Sequence, residues 1–416
     1  MEYITSKNIC LLIRDVLKLT DRRVTDHGSC VGYIVYRMLE ATEMFEEFEM
    51  AELSFIASLH NIGGYRTDDI GELLQPGYKN DMPHSIYGYL FMKNLFPVPD
   101  YGKILLYHHM DYEQLENVDY EFKFMSNFIH LADDAYGAYQ TLGDRFDYRR
   151  ILAGAGKKYS DQACKMFALA VEKYKVFDKL ADGSYKEELD QLMDYVLFRD
   201  DEKQKYLEML MHCTAFHSRQ VVTDTVTCTC ICDELARKAG ITPAEKQRLY
   251  LGSLLHDIGM LLIPVEIIRK PGGLTKEERA VMQTHVERAE EVLRSRFKDQ
   301  EVVDIAVRHH ERLDGSGYPA KLKGAKMNKP DRILQVADTV CGMWCERTYH
   351  KARSIGEVIS LLQEEAGRGR LDAIIVNYFI SSSKEIMERV KRESAGILTK
   401  YQRIEKQYEA ARSKFC

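Results

Sequence analysis

The sequence predicts an all-helical protein made of two tandem helical bundles joined by a helical linker. Residues that break helices are scarce, since the 416 residues include only 26 Gly and 9 Pro, whereas helix-forming residues such as Leu, Glu and Lys are common. Histidines also recur in the two halves in the same order and at similar spacing, which is typical of a duplicated domain. A chain of this length can form two or three domains, each with its own core.

Composition and charge exclude several classes of protein. A hydrophobic fraction of 45% and a charged fraction of 29% are typical of a globular protein and exclude wholesale disorder. The net charge of −6 leaves no broad basic surface, so we expect no long nucleic acid as a partner. No apolar run reaches the roughly 18 residues of a membrane span, and the N-terminus lacks the pattern of a signal peptide. The ten cysteines form no Cys-x-x-Cys pair and are expected to be reduced, which favours a cytoplasmic protein.

The histidines form two matching series. Once His130, His212 and His350 are set aside, each half has three single histidines before a His-His doublet, and an Asp follows the doublet. The two series are His27, His60, His84, His108-His109 and Asp133, and then His217, His256, His285, His309-His310 and Asp338. In both halves, 24 residues separate the third histidine from the doublet. The shared order, more than any single histidine, indicates an internal repeat of about 190 residues.

Helix-capping patterns place the second series on helices. Residues 242–245 form a capping box with Pro at the first helical position. The apolar positions between 251 and 262 predict that this helix continues through His256 and Asp257, which would lie in its middle. A second capping box at residues 275–278 predicts the start of the helix that carries His285. A buried carboxylate beside an imidazole is costly without a cation or donors, so a bundle that gathers these side chains predicts a metal site.

Four motifs in the second half carry a resemblance to a known family. They are His256-Asp-Ile-Gly259, Lys270-Pro-Gly-Gly-Leu-Thr275, His309-His-Glu-Arg-Leu-Asp-Gly-Ser-Gly-Tyr-Pro319 and Ala337-Asp338. With them, the chain from about residue 205 to 380 resembles the HD superfamily of metal-dependent phosphohydrolases, and within it the HD-GYP subfamily, which hydrolyses cyclic dinucleotides. The resemblance therefore implies an all-helical catalytic domain.

The same resemblance implies two divalent transition metals, with iron or manganese expected. The first metal would be held by His217, His256, Asp257 and Asp338, and the second by Asp257 as a bridge with His285, His309 and His310. Asp257, Arg347 and Tyr318 are the implied catalytic residues, and residues 315–317 are interpreted as a flexible loop near a phosphate. Two such metals lower the pKa of a shared water and stabilise the departing alkoxide.

Three positions in the second half depart from the family pattern. Cys213 stands where the family often has a Glu that adds a ligand for a third metal, so we expect two metals. Met260 replaces a Lys that would face the phosphate, and His350 replaces a second basic residue. These changes affect rate or substrate preference without removing an implied metal ligand.

The first half resembles only a degenerate copy. Asn61 follows His60 where the second half has Asp257, and no Gly-Tyr-Pro loop follows the doublet. Because a neutral amide is a poor bridge between two cations, we expect at most one metal there, and a relic scaffold or sensor rather than an active site. Its vestigial ligands would be His27, His60, His84, His108, His109 and Asp133.

The predicted organisation is a degenerate HD-like domain at 1–140, a helical connector at 141–204, and a catalytic domain at 205–416. Its C-terminal tail, residues 381–416, is predicted to be a charged amphipathic helix. The sequence leaves open whether this helix packs on the rest of the chain or on a second copy in a homodimer.

The leading functional hypothesis is a phosphodiesterase that opens cyclic di-GMP or the mixed GMP-AMP cyclic dinucleotide to the linear form. Two alternatives stay open at this point. One is another HD-type nucleotide phosphohydrolase, and the other is a catalytically weak cyclic-dinucleotide sensor.

Overall fold

The chain folds into two compact units in a computed structural model that describes residues 3–66, 82–216, 218–346 and 351–415. The N-terminal unit comprises Thr5–Tyr206 with Gln402–Cys416, and the C-terminal unit comprises Leu207–Tyr401 with Met1–Ile4. The described residues form helices and no β-strand, so the predicted all-α class is confirmed. Within the described part of the chain, no helix combines the length and apolar character needed to cross a membrane.

Ten helices belong wholly to the N-terminal unit. They are α1 (Ser6–Thr20), α2 (Arg22–Thr42), α3 (Glu47–Ser58), α4 (Met82–Leu95), α5 (Gly102–Tyr107), α6 (Tyr112–Leu115), α7 (Lys123–Leu142), α8 (Asp161–Tyr174), α9 (Val176–Asp182) and α10 (Tyr185–Leu192). Helix α2 is the centre of the unit, since α3, α7 and α8 all pack on it. Residues 141–204, which we expected to connect two domains, thus lie within this unit.

The C-terminal unit is built from seven complete helices. They are α12 (Arg219–Ala239), α13 (Pro243–Leu255), α14 (Val265–Ile268), α15 (Lys276–Arg294), α16 (Gln300–Val307), α17 (Lys329–Trp344) and α18 (Ile355–Gly367). Two further helices contribute residues to both units, namely α11 (Asp200–Cys213) and α19 (Ala373–Phe415). Short 3-10 turns lie at Ile62–Tyr65, Pro99–Tyr101, Gly143–Arg145, Tyr148–Gly154, Met193–Tyr195, Thr214–Phe216, Ile258–Leu262 and Gly324–Lys326.

The predicted helix starts are present in the C-terminal unit. The Thr242 hydroxyl accepts from the Glu245 amide while the Glu245 carboxylate accepts from the Thr242 amide, and Thr275 and Glu278 do the same at α15. Each reciprocal pair satisfies two backbone N–H groups that the first helical turn leaves without partners. Helix α15 therefore begins where the sequence predicts.

The end of α13 differs from the prediction. The helix stops at Leu255, and a 3-10 turn follows at Ile258–Leu262, so His256 and Asp257 lie at the junction and not in mid-helix. The reason is close packing: a Cβ on Gly259 would overlap the backbone carbonyl oxygen of His285 on α15. The turn also leaves Leu262 39% exposed, so this residue does not extend the buried face of α13.

The hydrophobic core of the C-terminal unit lies mainly between α12, α17 and the first turns of α19. Its fully buried side chains include Ile231, Leu235, Val336, Val340 and Phe379. Helix α12 packs along α17, and α13 packs on α16. This arrangement holds the ends of α13 and α16, and the middle of α17, around one pocket.

Candidate metal centre

Six of the predicted ligands meet in the C-terminal unit. His256 and Asp257 come from the junction after α13, His285 from α15, the His309-His310 doublet from the turn after α16, and Asp338 from α17. Three of these imidazoles, those of His285, His309 and His310, each offer a nitrogen within 4.8 Å of the others. Residues that lie up to about 80 positions apart in sequence therefore share one pocket.

Three of the imidazoles are oriented by the backbone in the same way. Each donates from Nδ1 to the carbonyl oxygen three residues earlier: His256 to Ser253 at 2.8 Å, His285 to Met282 at 2.7 Å and His309 to Ala306 at 2.6 Å. Because Nδ1 is bonded to the backbone, Nε2 is the nitrogen of each ring that faces the pocket and can bind a cation once it carries no proton. This backbone arrangement is common behind metal-ligating histidines.

The Asp257 carboxylate faces different imidazoles with its two oxygens. Oδ2 lies 3.3 Å from Nε2 of His256, while Oδ1 lies 3.5 Å from Nε2 of His285 and 3.9 Å from Nε2 of His309. A carboxylate can bridge two cations by presenting one oxygen to each, and each oxygen then faces a different set of ligands. Asp257 therefore has the orientation that a bridging ligand requires.

The electrostatics of the pocket favour a cation. Burial opposes ionisation of Asp257, but the surrounding imidazoles hold its pKa well below the usual range, and the same balance lowers the pKa of Asp338. Burial alone would lower the pKa of His256, yet the two carboxylates raise it to about 9. Burial lowers the pKa of His285 to about 4. The pocket thus holds two ionised carboxylates, and its nitrogen and oxygen donors fit borderline divalent metals.

Tyr318 lies at the edge of this pocket beside the doublet. Its ring is 4.7 Å from the His310 ring, and its backbone N–H donates to the His310 carbonyl oxygen at 3.2 Å. Nδ1 of His310 lies 3.3 Å from Oδ2 of Asp338. Burial, followed by the charges of Asp338 and Asp257, raises the pKa of Tyr318 above its usual value. Its phenol is therefore a protonated hydrogen-bond donor at neutral pH.

The loop that carries Tyr318 is held in place, which differs from the flexible loop expected at residues 315–317. The fully buried Glu311 carboxylate accepts from the amides of Ala320 at 2.7 Å and Leu322 at 2.8 Å. A Cβ on Gly317 would overlap the backbone of Glu311, so glycine serves close packing there. Glu311 lies within the motif His309–Pro319, but the sequence alone did not predict this role for it. The signal that could have indicated a structural role is the position of this charged residue directly after a histidine doublet predicted to be buried.

Two cationic side chains near Tyr318 were also missed. The guanidinium groups of Arg312 and Arg279 both act to lower the pKa of Tyr318, against its burial. Arg312 is positioned by donating to the Glu311 carbonyl oxygen at 2.9 Å and to the Thr339 hydroxyl at 3.4 Å. Arg312 lies within a recognised motif and Arg279 lies on α15. The fold brings both close enough to Tyr318 to affect its pKa.

Three predicted functional positions lie outside the described residues: His217, Arg347 and His350. Cys213, where a third metal ligand would be expected in the family, is fully buried, and its thiol donates to the Met209 sulfur. Met260 lies in the 3-10 turn that follows Asp257.

The first histidine series also gathers in one place, within the N-terminal unit. One triad comprises His84, His108 and His109, and the other comprises His27, His60 and Asp133. Nδ1 of His60 donates to the Ala57 carbonyl oxygen at 2.8 Å, as His256 does to Ser253 in the other unit. The adjacent Asn61 is buried, and its side-chain oxygen finds no hydrogen-bond partner among the described residues.

Part of the chain matches a known family model, and the chain is similar to several known proteins. Residues 208–375 match the family model of the HD domain. Over 404 residues, the chain is 26% identical to the 3′3′-cGAMP-specific phosphodiesterase 1 of Vibrio cholerae, covering 89% of this chain and 90% of that protein. It is 30% identical over 190 residues to a cyclic di-GMP phosphodiesterase of Thermotoga maritima, covering 45% of this chain and 51% of that protein.

A solved structure shares the fold. The crystal structure of a cyclic GMP-AMP-specific phosphodiesterase from V. cholerae, V-cGAP3, aligns with a TM-score of 0.58 at 16% identity, over 92% of this chain and 98% of that one. This likeness confirms the predicted HD-type helical fold. The family-model match over residues 208–375 supports the resemblance to the HD domain.

Proposed function

We propose that this protein, whose residues 208–375 form an HD domain, is a metal-dependent phosphodiesterase that opens a cyclic dinucleotide to its linear form through the C-terminal unit. The observation that carries the proposal is the orientation of Asp257, whose two oxygens face His256 on one side and His285 with His309 on the other. The similarity to a 3′3′-cGAMP-specific phosphodiesterase along most of both chains supports a cyclic dinucleotide as substrate, with 3′3′-cGAMP first.

The donor set fits two divalent cations, for which we propose iron or manganese. His256, Asp257 and Asp338 would hold one ion with the predicted ligand His217, and His285, His309 and His310 would hold the other with Asp257. When bound, such ions supply Lewis-acid charge that activates water and offsets the negative charge of the phosphodiester. Neutral imidazoles with two carboxylates suit these metals better than magnesium, which prefers oxygen ligands.

The residues of the chain prepare the reaction by orientation and charge. The backbone bonds from Nδ1 of His256, His285 and His309 fix those rings before any ligand arrives, so little reorganisation remains to be done. Asp257 and Asp338 stay ionised because their pKa values are lowered.

Substrate contact is assigned to the loop beside the doublet. The protonated hydroxyl of Tyr318 can donate to a phosphate oxygen, and its ring offers a face for a base. Arg312 and Arg279 add positive charge on the same side. In the net reaction, one water adds across one P–O bond: its oxygen joins the phosphorus, and the displaced ribose oxygen takes up a proton. The product is a linear dinucleotide.

The test is product analysis on the anaerobically purified full chain loaded with iron or manganese. We expect 3′3′-cGAMP and, more slowly, cyclic di-GMP to yield linear dinucleotides by mass spectrometry, and Asp257→Ala to yield none. Hydrolysis of mononucleotides or nucleoside triphosphates alone would instead identify another HD-type phosphohydrolase. Tight binding of cyclic dinucleotides by metal-loaded protein without turnover would identify a sensor.

The cytoplasmic location and a homodimer formed through the C-terminal helix stay predictions. The nine described cysteines are buried and form no disulfide with one another, as expected of a reducing compartment.

A further inference from the structure

The N-terminal unit contains a triangle of imidazoles that repeats the geometry of the C-terminal unit. Its ring centroids are separated by 5.3 Å for His84–His108, 5.1 Å for His84–His109 and 3.9 Å for His108–His109. The corresponding separations in the C-terminal unit are 5.4 Å for His285–His309, 5.2 Å for His285–His310 and 4.0 Å for His309–His310. The three rings therefore keep their arrangement although the sequence around them has changed.

The nitrogen atoms of this triangle have the spacing of metal ligands. Nε2 of His84 lies 3.4 Å from Nε2 of His108 and 3.2 Å from Nε2 of His109. Metal–nitrogen bonds of about 2.0–2.1 Å in tetrahedral geometry place two ligand nitrogens about 3.3 Å apart. One ion can thus contact all three rings with little movement of the side chains.

The hydrogen bonds of His108 and the burial of His84 determine which ring nitrogens face the centre of the triangle. Nδ1 of His108 donates to the Leu105 carbonyl oxygen at 2.6 Å, which leaves Nε2 as a lone pair, as in His309. His84 is fully buried, and its Nδ1 finds no partner among the described residues. Nε2 of His84 also lies 3.5 Å from the Ser85 hydroxyl, which is a long hydrogen bond. With His108 unable to donate from Nε2, hydrogen bonds satisfy the three converging nitrogens poorly, whereas one cation can contact all three.

The neighbouring triad of the N-terminal unit is arranged differently. Nε2 of His27 lies 2.6 Å from Oδ1 of Asp133, which is the length of a short charge-assisted hydrogen bond. Two ligands of one ion are rarely closer than about 3 Å when each bond is near 2.1 Å. Asp133 is thus occupied by His27, while its Oδ2 lies 3.9 Å from Nδ1 of His109 and places negative charge behind that ring.

We propose that the N-terminal unit binds one zinc-class divalent ion through Nε2 of His84, His108 and His109. The ion joins α4 to the turn after α5, so its role is to stabilise this unit. No second ion accompanies it, because Asn61 offers no anionic bridge. The site goes beyond the hydrolytic function proposed above, and it raises the expected metal content from two ions per chain to three.

The experiment is metal analysis of the full chain after equilibration with zinc and removal of free metal. The double variant His84→Ala/His109→Ala is expected to contain one ion per chain fewer than the wild type. His130→Gln is the matched control, since this buried histidine lies in the same unit but outside the triangle. It should keep the full count.

The difference in metal count is independent of whether the C-terminal unit hydrolyses anything, so failure of the two proposals can be told apart. An unchanged count in the double variant would overturn this one, as would loss of the ion in His27→Ala but not in the double variant. If the double variant misfolds by circular dichroism, the single variant His109→Gln replaces it. His109 is partly exposed, and its loss should weaken zinc affinity at least tenfold.

Discussion

The two units place their histidines alike but differ in what surrounds them. In both units a 3-10 turn follows a dipeptide, which is His-Asn in the N-terminal unit and His-Asp in the C-terminal unit. A glycine in that turn lies against the backbone carbonyl oxygen of the third histidine. These pairs are Gly63 with His84, and Gly259 with His285. The units diverge at Asn61 and Asp257, and in the loop after the doublet. The backbone packing that gathers the imidazoles is therefore present in both units. The carboxylate of Asp257 and the Tyr318 loop, which we assign to catalysis, are present only in the C-terminal unit.

The largest expected effect concerns the position where the units differ. Asp257→Asn reproduces the N-terminal arrangement, leaving one neutral oxygen between two proposed cations whose repulsion is then poorly compensated. We expect metal content to fall and the turnover of cyclic dinucleotide to drop by more than about 100-fold, since even outer partners of metal ligands cost 10–100-fold. Metal analysis and initial rates on the same preparation measure this. Retained activity would remove Asp257 from the proposed site.

A second test addresses the shared glycine. Gly259→Ala forces a Cβ into the backbone carbonyl oxygen of His285, which should displace that ring and cost about 1–3 kcal/mol of packing energy. Metal content and activity should both fall. The matched variant Gly63→Ala makes the same clash against His84, so it should lower the thermal midpoint while kcat stays within a few-fold. Equal losses of activity in both variants would show that the units do not act separately.

The loop provides a third test, because the N-terminal unit has Met110 where the C-terminal unit has Glu311. Glu311→Gln leaves a backbone N–H of the Tyr318 loop facing an amide NH₂ group, at a cost of about 1–3 kcal/mol. We expect kcat/KM to fall roughly 10- to 100-fold with metal content unchanged. Loss of metal together with activity would show instead that Glu311 supports the ligands.

The smallest effects are expected in the N-terminal unit. His60→Ala should leave turnover within about threefold, because His60 belongs to the N-terminal unit and contributes no ligand to the proposed catalytic site. Asn61→Asp alone should create no activity in an Asp257→Ala background, because the loop with Tyr318 has no counterpart there. Steady-state kinetics of both variants provide the measurement. A large loss in His60→Ala would mean that the N-terminal unit regulates the other.

Periodic and local features were predictable from the sequence. The capping boxes at Thr242 and Thr275 depend on residues three apart, so they form as soon as the helix does. The order of the histidines likewise predicted which described side chains gather in the two units, whereas His217 lies outside the described residues. The end of α13 was not predictable from the apolar pattern, which continues to Leu262, whereas in the fold a 3-10 turn follows Asp257 and packs closely against α15.

The sequence by itself determined the helical class, the duplicated histidine series and the Asn61–Asp257 difference, because these depend on residue type and order. Tertiary structure alone decided which oxygen of Asp257 faces which imidazole, that Glu311 holds the Tyr318 loop, and that the N-terminal triangle of His84, His108 and His109 keeps its spacing. Such facts depend on where helices distant in sequence meet, and angstrom-scale distances between their side chains follow from packing rather than from periodicity.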